Sequence, residues 1–218
     1  MPLPLKKECH IVGSGITWDL AHYNRDDVDI WGLSTMIPKM PRVDRLFEMH
    51  STGDAERFKG LQAAECPVYM QKEWEQIPNS IEYPLDKIVD KFGHHFASSI
   101  SYMLALAIDE GYKKISIYGV SMSHNTEYRT QRHSVEYLIG YAKGLGIEIT
   151  IPKEEDLGKS IFLYGYEKPS LLEKAEVKFQ KMINALEKLE YEKQKLDAKI
   201  NQLKGAIENC ELFINYFY

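Results

Sequence analysis

A glycine turn follows the first predicted strand of the chain. Ile11-Val12 is a short apolar run that ends in Gly13-Ser14-Gly15. A strand, a tight glycine turn and a helix together direct backbone N–H groups at a phosphate. The third glycine of the full dinucleotide-binding motif is missing, because Trp18 stands three residues after Gly15. The turn predicts phosphate or nucleotide binding, with a plain strand-to-helix turn as the alternative.

Hydroxyl and glycine residues also stand at the exits of two further predicted strands and at the start of a predicted helix. Ligands of open α/β sheets bind at the carboxyl ends of the strands. Hydroxyls and free N–H groups at a helix start can hold an anion, although simple N-capping is the alternative role. We therefore assign to nucleotide binding Ser34 and Thr35 after the second strand, Ser98 and Ser99 at the helix start, and Gly119 and Ser121 after the later strand.

Two groups of residues could move a proton or stabilise a leaving phosphate. His50 stands two positions after Glu48 at a strand exit, so both side chains point to one face as a base with its orienting carboxylate. In the polar segment after the later strand, Arg132 could bind phosphate, Tyr128 could donate to a phosphate oxygen, and His133 could act as acid or base. A structural histidine and a solvated loop are the alternatives.

Composition limits the classes of protein and ligand. The 218 residues suffice for one α/β domain with an appendage, and a net charge of −5 makes nucleic acid an unexpected partner. The three cysteines, Cys9, Cys66 and Cys210, form no CxxC pair, which fits a reducing compartment and predicts no metal site. The N-terminus lacks the apolar core of a signal peptide, and no run reaches the ~18 apolar residues of a membrane span. We expect a cytoplasmic protein without a metal cofactor.

Strand and helix patterns alternate over residues 1–167, which we take as one domain. Such alternation predicts a doubly wound, mostly parallel sheet. A helix starts over Ile16–His22, the segment Lys72–Phe92 is largely irregular, and a polar loop covers Ser123–Arg132. The other predicted strands are Asp27–Thr35, Arg45–His50, Pro67–Gln71, Lys114–Met122 and Ile147–Pro152, and the other predicted helices are His95–Glu110 and Ser134–Lys143.

The remaining residues, 168–218, have a coiled-coil pattern. Apolar residues recur alternately four and three positions apart, with one polar break at Lys193. About 40 residues of helix extend roughly 60 Å, which predicts self-association through residues 172–214, with packing on the chain's own domain as the alternative. Ile at a, Leu at d and Lys193 favour a dimer over a tetramer. The a positions are Phe179, Leu186, Lys193, Ile200 and Ile207, and the d positions are Met182, Leu189, Leu196, Leu203 and Cys210.

Three stretches resemble the Rossmann-like superfamily of the bacterial family-42 sialyltransferases and the hydroxymethylpterin diphosphokinase-like proteins. They are Ile11–Leu20, Asp27–Thr35 and, most closely, Ser98–Met122. The last stretch is similar to the sialyltransferase pattern of a Ser-Gly start, a helix that ends in Gly-Tyr-Lys and a strand that ends in Gly-Ile-Asp. Uncharacterised phage proteins of this superfamily are also similar. The resemblance covers residues 9–152.

The resemblance implies a cytidine nucleotide held at the glycine turn, at the end of the second strand and at the serine-rich helix start. Tyr128 and His133 match the residues that serve the phosphate and the acceptor only in approximate position. The family's asparagine after the second strand is Ser34 here, and the aspartate of Gly-Ile-Asp is Ser121. We expect a nucleotide-dependent transferase, a sialyltransferase-like glycosyltransferase with a nucleotide-sugar donor. The alternative is a non-catalytic nucleotide-binding or assembly protein that multimerises through its coiled coil.

Overall fold

Seven parallel strands form one sheet in this computed structural model. The structure describes residues 7–50, 60–122, 126–160, 162–167 and 170–217, with the backbone alone for residues 126–129 and 170. The chain divides into two compact units, Met1–Lys159 and Ser160–Tyr218, and the sheet belongs to the first. The strands are β1 (Glu8–Val12), β2 (Val28–Leu33), β3 (Arg45–Glu48), β4 (Val68–Met70), β5 (Ser80–Glu82), β6 (Lys114–Tyr118) and β7 (Glu148–Thr150).

The strand order reverses beside β1. The sheet reads β5-β4-β3-β2-β1-β6-β7, so the chain winds outward from β1 to β5 and then crosses to β6 on the other side of β1. Val12, the last residue of β1, pairs with Gly32 of β2 and with Tyr118 of β6. Such a reversal leaves a crevice outside the carboxyl ends of the two strands. The expected doubly wound α/β fold is therefore confirmed.

Apolar residues cover both faces of the sheet, so most positions of its central strands β1, β2 and β6 are buried. Cys9 and Ile11 of β1 pack with one face, which contacts helices, whereas Val12 belongs to the cluster on the other face. Among the residues that the structure describes, the longer helices are α1 (Leu85–Phe92), α2 (Ser99–Glu110), α3 (Thr126–Gly144) and α4 (Ser170–Phe217).

Helix α2 begins later than the pattern from His95 predicts. Ser98 is its N-cap and accepts a hydrogen bond from the Ser101 N–H, while the Ser101 hydroxyl lies 3.3 Å from the Ser98 nitrogen, which completes a capping box. Gly111 ends the helix in the left-handed conformation with φ of 87°. The capping role of Ser98, left open by the sequence, is thus confirmed, and it fixes the position of the helix start.

Three local predictions were wrong, each for a physical reason. The segment after the glycine turn forms only a short 3-10 helix, Trp18–Leu20, where the Tyr23 hydroxyl donates to the Trp18 carbonyl. Lys72–Phe92 contains β5 and α1, because its prolines precede these elements and do not interrupt them. Of the predicted polar loop, residues 126–132 form the first part of α3, because polar residues continue a helix whose later turns pack on the sheet, and residues 123–125 lie outside the described residues.

The second unit contains α4, the 48-residue helix that the heptad pattern predicts. The apolar side chains at its a and d positions are exposed, as Leu186 at 57% and Leu196 at 59% illustrate. Within the described residues, no helix is both long and apolar enough to cross a membrane. The boundary at residue 167 and the oligomeric state stay predictions.

Candidate functional site

A cleft of about 570 Å³ opens at the carboxyl edge of the sheet, where the strand order reverses. It lies between the ends of β1 and β6 and extends to the start of α2 and the end of β3. The fold therefore brings together residues that are far apart in sequence. The residues assigned from sequence that line it are Gly13, Ser14, Gly15, His50, Ser98, Ser99, Gly119 and Ser121.

The floor of the cleft is a close contact between two backbone turns. The Gly13 N–H donates to the Tyr118 carbonyl at 2.8 Å, and the Gly15 N–H donates to the Gly119 carbonyl at 2.7 Å. A Cβ atom on Gly15 would meet the Gly119 carbonyl group at 2.9 Å. Glycine at this position is therefore required by the close approach of the two backbone turns. These two N–H groups serve the fold, so an anion in the cleft must be bound by other donors.

A buried side-chain pair that sequence analysis missed supports this floor. The Gly119 N–H donates to Thr17 Oγ1 at 2.7 Å, and the Thr17 hydroxyl donates to Glu155 Oε1 at 2.5 Å. Thr17 and Glu155 are 2% and 1% exposed. Gly119 has φ of 65°, a conformation that other residues rarely adopt. Because the two partners are 138 positions apart, no local pattern signals their contact.

We expect Thr17→Val to lower the free energy of unfolding by about 2–3 kcal/mol, because it leaves the Gly119 N–H and the Glu155 carboxyl without their buried partner. Thr17→Ser keeps the hydroxyl and is the matched control, with an expected loss of about 1 kcal/mol for the missing methyl group. Urea unfolding of both variants measures the difference. Equal losses in the two variants would show that the hydroxyl does not support the turn.

His50 lines the cleft and is held from behind by a carboxylate. Its Nδ1 atom lies 2.5 Å from Glu48 Oε1, and its backbone N–H donates to the same oxygen at 3.1 Å. The Ser34 hydroxyl donates to the other oxygen of Glu48. Glu48 is 5% exposed, whereas the side chain of His50 is 67% exposed. The prediction that Glu48 and His50 point to one face agrees with this contact.

The protonation state of Glu48 determines which nitrogen of His50 can act. Burial raises the pKa of Glu48, but the hydrogen bonds from Ser34 and His50 lower it by more than burial raises it. The pKa of Glu48 therefore lies below the ordinary value of 4.5. An ionised carboxylate only accepts hydrogen bonds, so Nδ1 of His50 carries the proton that it shares with Glu48. Nε2 is then the basic nitrogen. This arrangement can act as a general base.

Several other assigned residues lie elsewhere. Ser34 is buried against Glu48, and Thr35 is exposed on the 3-10 helix Ser34–Met36 outside the cleft lining. Arg132 donates to Glu136 and to the carbonyl of Asp156, so it binds the segment after β7. His133 is exposed on α3 and does not line the cleft. Tyr128 lies in α3, where the structure describes its backbone but not its side chain.

Hydroxyl, apolar and aromatic groups dominate the rest of the lining. Among the described lining residues there is no Lys, Arg, Asp or Glu. Phe96 and Tyr102 are stacked, with ring centroids 4.8 Å apart and an interplanar angle of 15°. The start of α2 lines the cleft, and a helix N-terminus carries partial positive charge. In the described part of the chain, no group of three or more His, Cys, Asp or Glu could hold a metal ion.

Comparisons with known proteins return similar structures but no relative in sequence. No protein-family profile matches the chain, and no curated protein does. The sialyltransferase CstII from Campylobacter jejuni, in complex with the substrate analogue CMP-3FNeuAc, is 14% identical with a TM-score of 0.45, over 66% of this chain and 79% of that one. CST-II with a trisaccharide acceptor and CMP is 13% identical with a TM-score of 0.46, over 72% of this chain and 89% of that one.

The monofunctional α-2,3-sialyltransferase Cst-I from Campylobacter jejuni is also similar. It is 13% identical with a TM-score of 0.44, over 82% of this chain and 96% of that one. What this chain binds has to be inferred from the residues of its own cleft.

Proposed function

We propose that the protein is a nucleotide-dependent transferase, a sialyltransferase-like glycosyltransferase that uses a nucleotide-sugar donor bound in this cleft. The proposal rests on the position of His50, which lines the cleft and contacts Glu48 through its Nδ1 atom. The cleft lies where the strand order reverses, and the start of α2 also lines it. Anionic ligands of α/β proteins bind at such reversals. A supported base in the same cleft adds a group that can activate an acceptor.

The lining favours a donor with a single phosphate group. Ser14, Ser98, Ser99 and Ser121 present hydroxyls, and the start of α2 adds partial positive charge. Di- and triphosphates are commonly bound with Lys, Arg or a divalent cation, whereas the described lining residues include no cationic side chain of this kind. Phe96 and Tyr102 offer aromatic surface for a base or a sugar ring.

In the proposed reaction, His50 removes a proton from the acceptor hydroxyl through Nε2. The acceptor oxygen attacks the anomeric carbon of the donor sugar, and the bond between that carbon and the phosphate oxygen breaks. The electron pair leaves with the nucleotide phosphate, whose charge the hydroxyls and the start of α2 stabilise. Glu48 orients the imidazole and stabilises its protonated form.

The second candidate is a non-catalytic nucleotide-binding or assembly protein that multimerises through α4. The exposed apolar side chains at the a and d positions of α4 favour it. In that case, the same cleft would bind a ligand without converting it. A donor that binds but is not consumed in the presence of acceptors would favour this second function.

Thermal unfolding with a panel of ligands tests the proposal. We expect a cytidine, uridine, guanosine or adenosine nucleotide or nucleotide sugar to raise the unfolding midpoint, because a ligand at 100 times its Kd adds about 2.7 kcal/mol to the stability of the folded state. Ala97→Phe places a ring in the cleft and should abolish the shift, whereas Ala198→Phe on α4 is the matched control. No shift with any ligand of the panel would refute nucleotide binding.

A further inference from the structure

Helix α4 leaves an apolar stripe exposed along most of its length. The stripe, here called the seam, consists of the a and d positions from Phe179 to Cys210. Its large apolar side chains are between 41% exposed, at Ile200, and 65% exposed, at Phe179. None of these described side chains is buried. A continuous heptad seam in water is stable when another helix covers it.

We propose that the seam is covered by the same seam of a second copy of this chain, in a parallel two-stranded coiled coil with the two helices in register. Residues 172–214 of the helix are about 60 Å long, and a contact face about 10 Å wide on each of two such helices gives roughly 1,200 Å² of buried surface, which reaches the size of a stable protein interface. A second copy supplies a complementary heptad pattern of the same length. This inference does not depend on what the cleft binds.

The residue types along the seam select the number and direction of the helices. Ile200 and Ile207 occupy a positions, and Leu189, Leu196 and Leu203 occupy d positions. β-branched residues at a with Leu at d favour parallel dimers over trimers and tetramers. In an antiparallel pair, the Ile residues at a positions would face Leu residues at d positions. The a and d positions would then no longer differ in packing geometry.

Lys193 sets the register of the two helices. It is the one polar residue at the a and d positions between Phe179 and Ile207, and a single polar a residue specifies register at a cost in stability. In the parallel pair, the side chain of Lys193 packs into a hole that includes Glu192 of the second copy, at a g position. Glu192 and Asp197 place acidic groups on both flanks of the seam at this level. A shift by one heptad would bury each lysine against an apolar layer, away from Glu192 and Asp197 of the second copy.

The mass of the full-length protein in solution tests the dimer. Light scattering is expected to give twice the 25.2 kDa mass of the chain. Leu196→Glu puts a charge on the seam at a d position and should reduce the mass toward that of one chain. Gln194→Glu adds the same charge at a b position, outside the seam, and should leave the mass unchanged. A native protein with the mass of one chain would overturn the proposal. Equal masses of the Leu196→Glu and Gln194→Glu variants would also overturn it.

Cys210 reports the direction of the helices. It is exposed at a d position, whereas Cys9 is buried and Cys66 is half-buried. In a parallel in-register pair, the two Cys210 side chains face each other, so mild oxidation with diamide should link the two chains covalently. Cys66→Ser should keep the link and Cys210→Ser should abolish it. In an antiparallel pair the two thiols lie tens of ångströms apart along the helix axis, at 1.5 Å per residue. A dimer without this link, or a link that survives Cys210→Ser, would refute the parallel register.

Discussion

Replacing His50 by alanine is expected to slow sugar transfer by about 10²- to 10⁴-fold, the usual contribution of a general base. Nucleotide binding should persist, because the hydroxyls and the start of α2 that line the cleft are unchanged. The measurement is the rate of donor consumption at saturating donor and acceptor, with nucleotide affinity determined by titration on the same sample. A variant that binds but does not transfer identifies His50 as a group that acts in the chemical step.

Two other histidines make this experiment specific. His94 is exposed and does not line the cleft, so His94→Ala is the matched control and should leave the rate unchanged. His133, which the sequence also nominates, is exposed on α3 outside the lining. If His133→Ala slows transfer and His50→Ala does not, the proposed base is wrong.

The partners of His50 should act through its orientation. Glu48→Gln removes the negative charge that stabilises the protonated imidazole, so we expect it to slow transfer less than His50→Ala does and to change the pH dependence of kcat. Ser34 touches Glu48 and does not line the cleft, so Ser34→Ala should affect the rate through Glu48 alone. A loss of nucleotide affinity in Ser34→Ala without a change in kcat would instead support its assignment to nucleotide binding.

Gly119→Ala should be the most damaging single-methyl substitution in the cleft. Gly119 has φ of 65°, and a Cβ atom there would lie 2.5 Å from the Gly13 carbonyl oxygen. The backbone strain and the steric clash together should lower the free energy of unfolding by about 3 kcal/mol. Because the clash separates the ends of β1 and β6, the variant should also lose ligand binding at temperatures where it remains folded.

Gly140→Ala is the matched control for this substitution. Gly140 lies within α3, and a Cβ atom there would have nothing within 4 Å. Alanine has the higher helix propensity, so this variant should gain about 0.5–1 kcal/mol. Urea unfolding measures both variants. A Gly119→Ala protein as stable as the native chain would mean that the contact between the two turns is not needed.

Local patterns predicted most of the architecture. The alternation of strands and helices, the capping role of Ser98 and the long C-terminal helix all depend on neighbours in sequence, and the structure confirms them. Two of the three wrong predictions failed because polarity or proline was read as a sign of irregular chain, in Lys72–Phe92 and in the first part of α3. Hydrophobic periodicity reports burial, and a helix can continue where burial ends.

The candidate site was predictable in outline but not in its contacts. The glycine turn, the serines of α2 and the pair of His50 and Glu48 were found from residue types at strand and helix ends. Nothing in the sequence revealed that the N–H groups of Gly13 and Gly15 bond to the end of β6, or that Arg132 binds the segment after β7. These contacts join segments that meet only when the strand order is complete.

The sequence by itself determined an α/β sheet with polar groups at its carboxyl edge, followed by a long helix with an apolar heptad pattern. These properties follow from the spacing of apolar residues and from turn residues, which act over a few positions. Only the tertiary structure decided which polar groups face the cleft and which hold the fold, as for Ser34 against Glu48 and Thr17 against Glu155. The partner of a buried polar group is set by strand order and register, because hydrogen bonds form between whatever distant segments the sheet brings into contact.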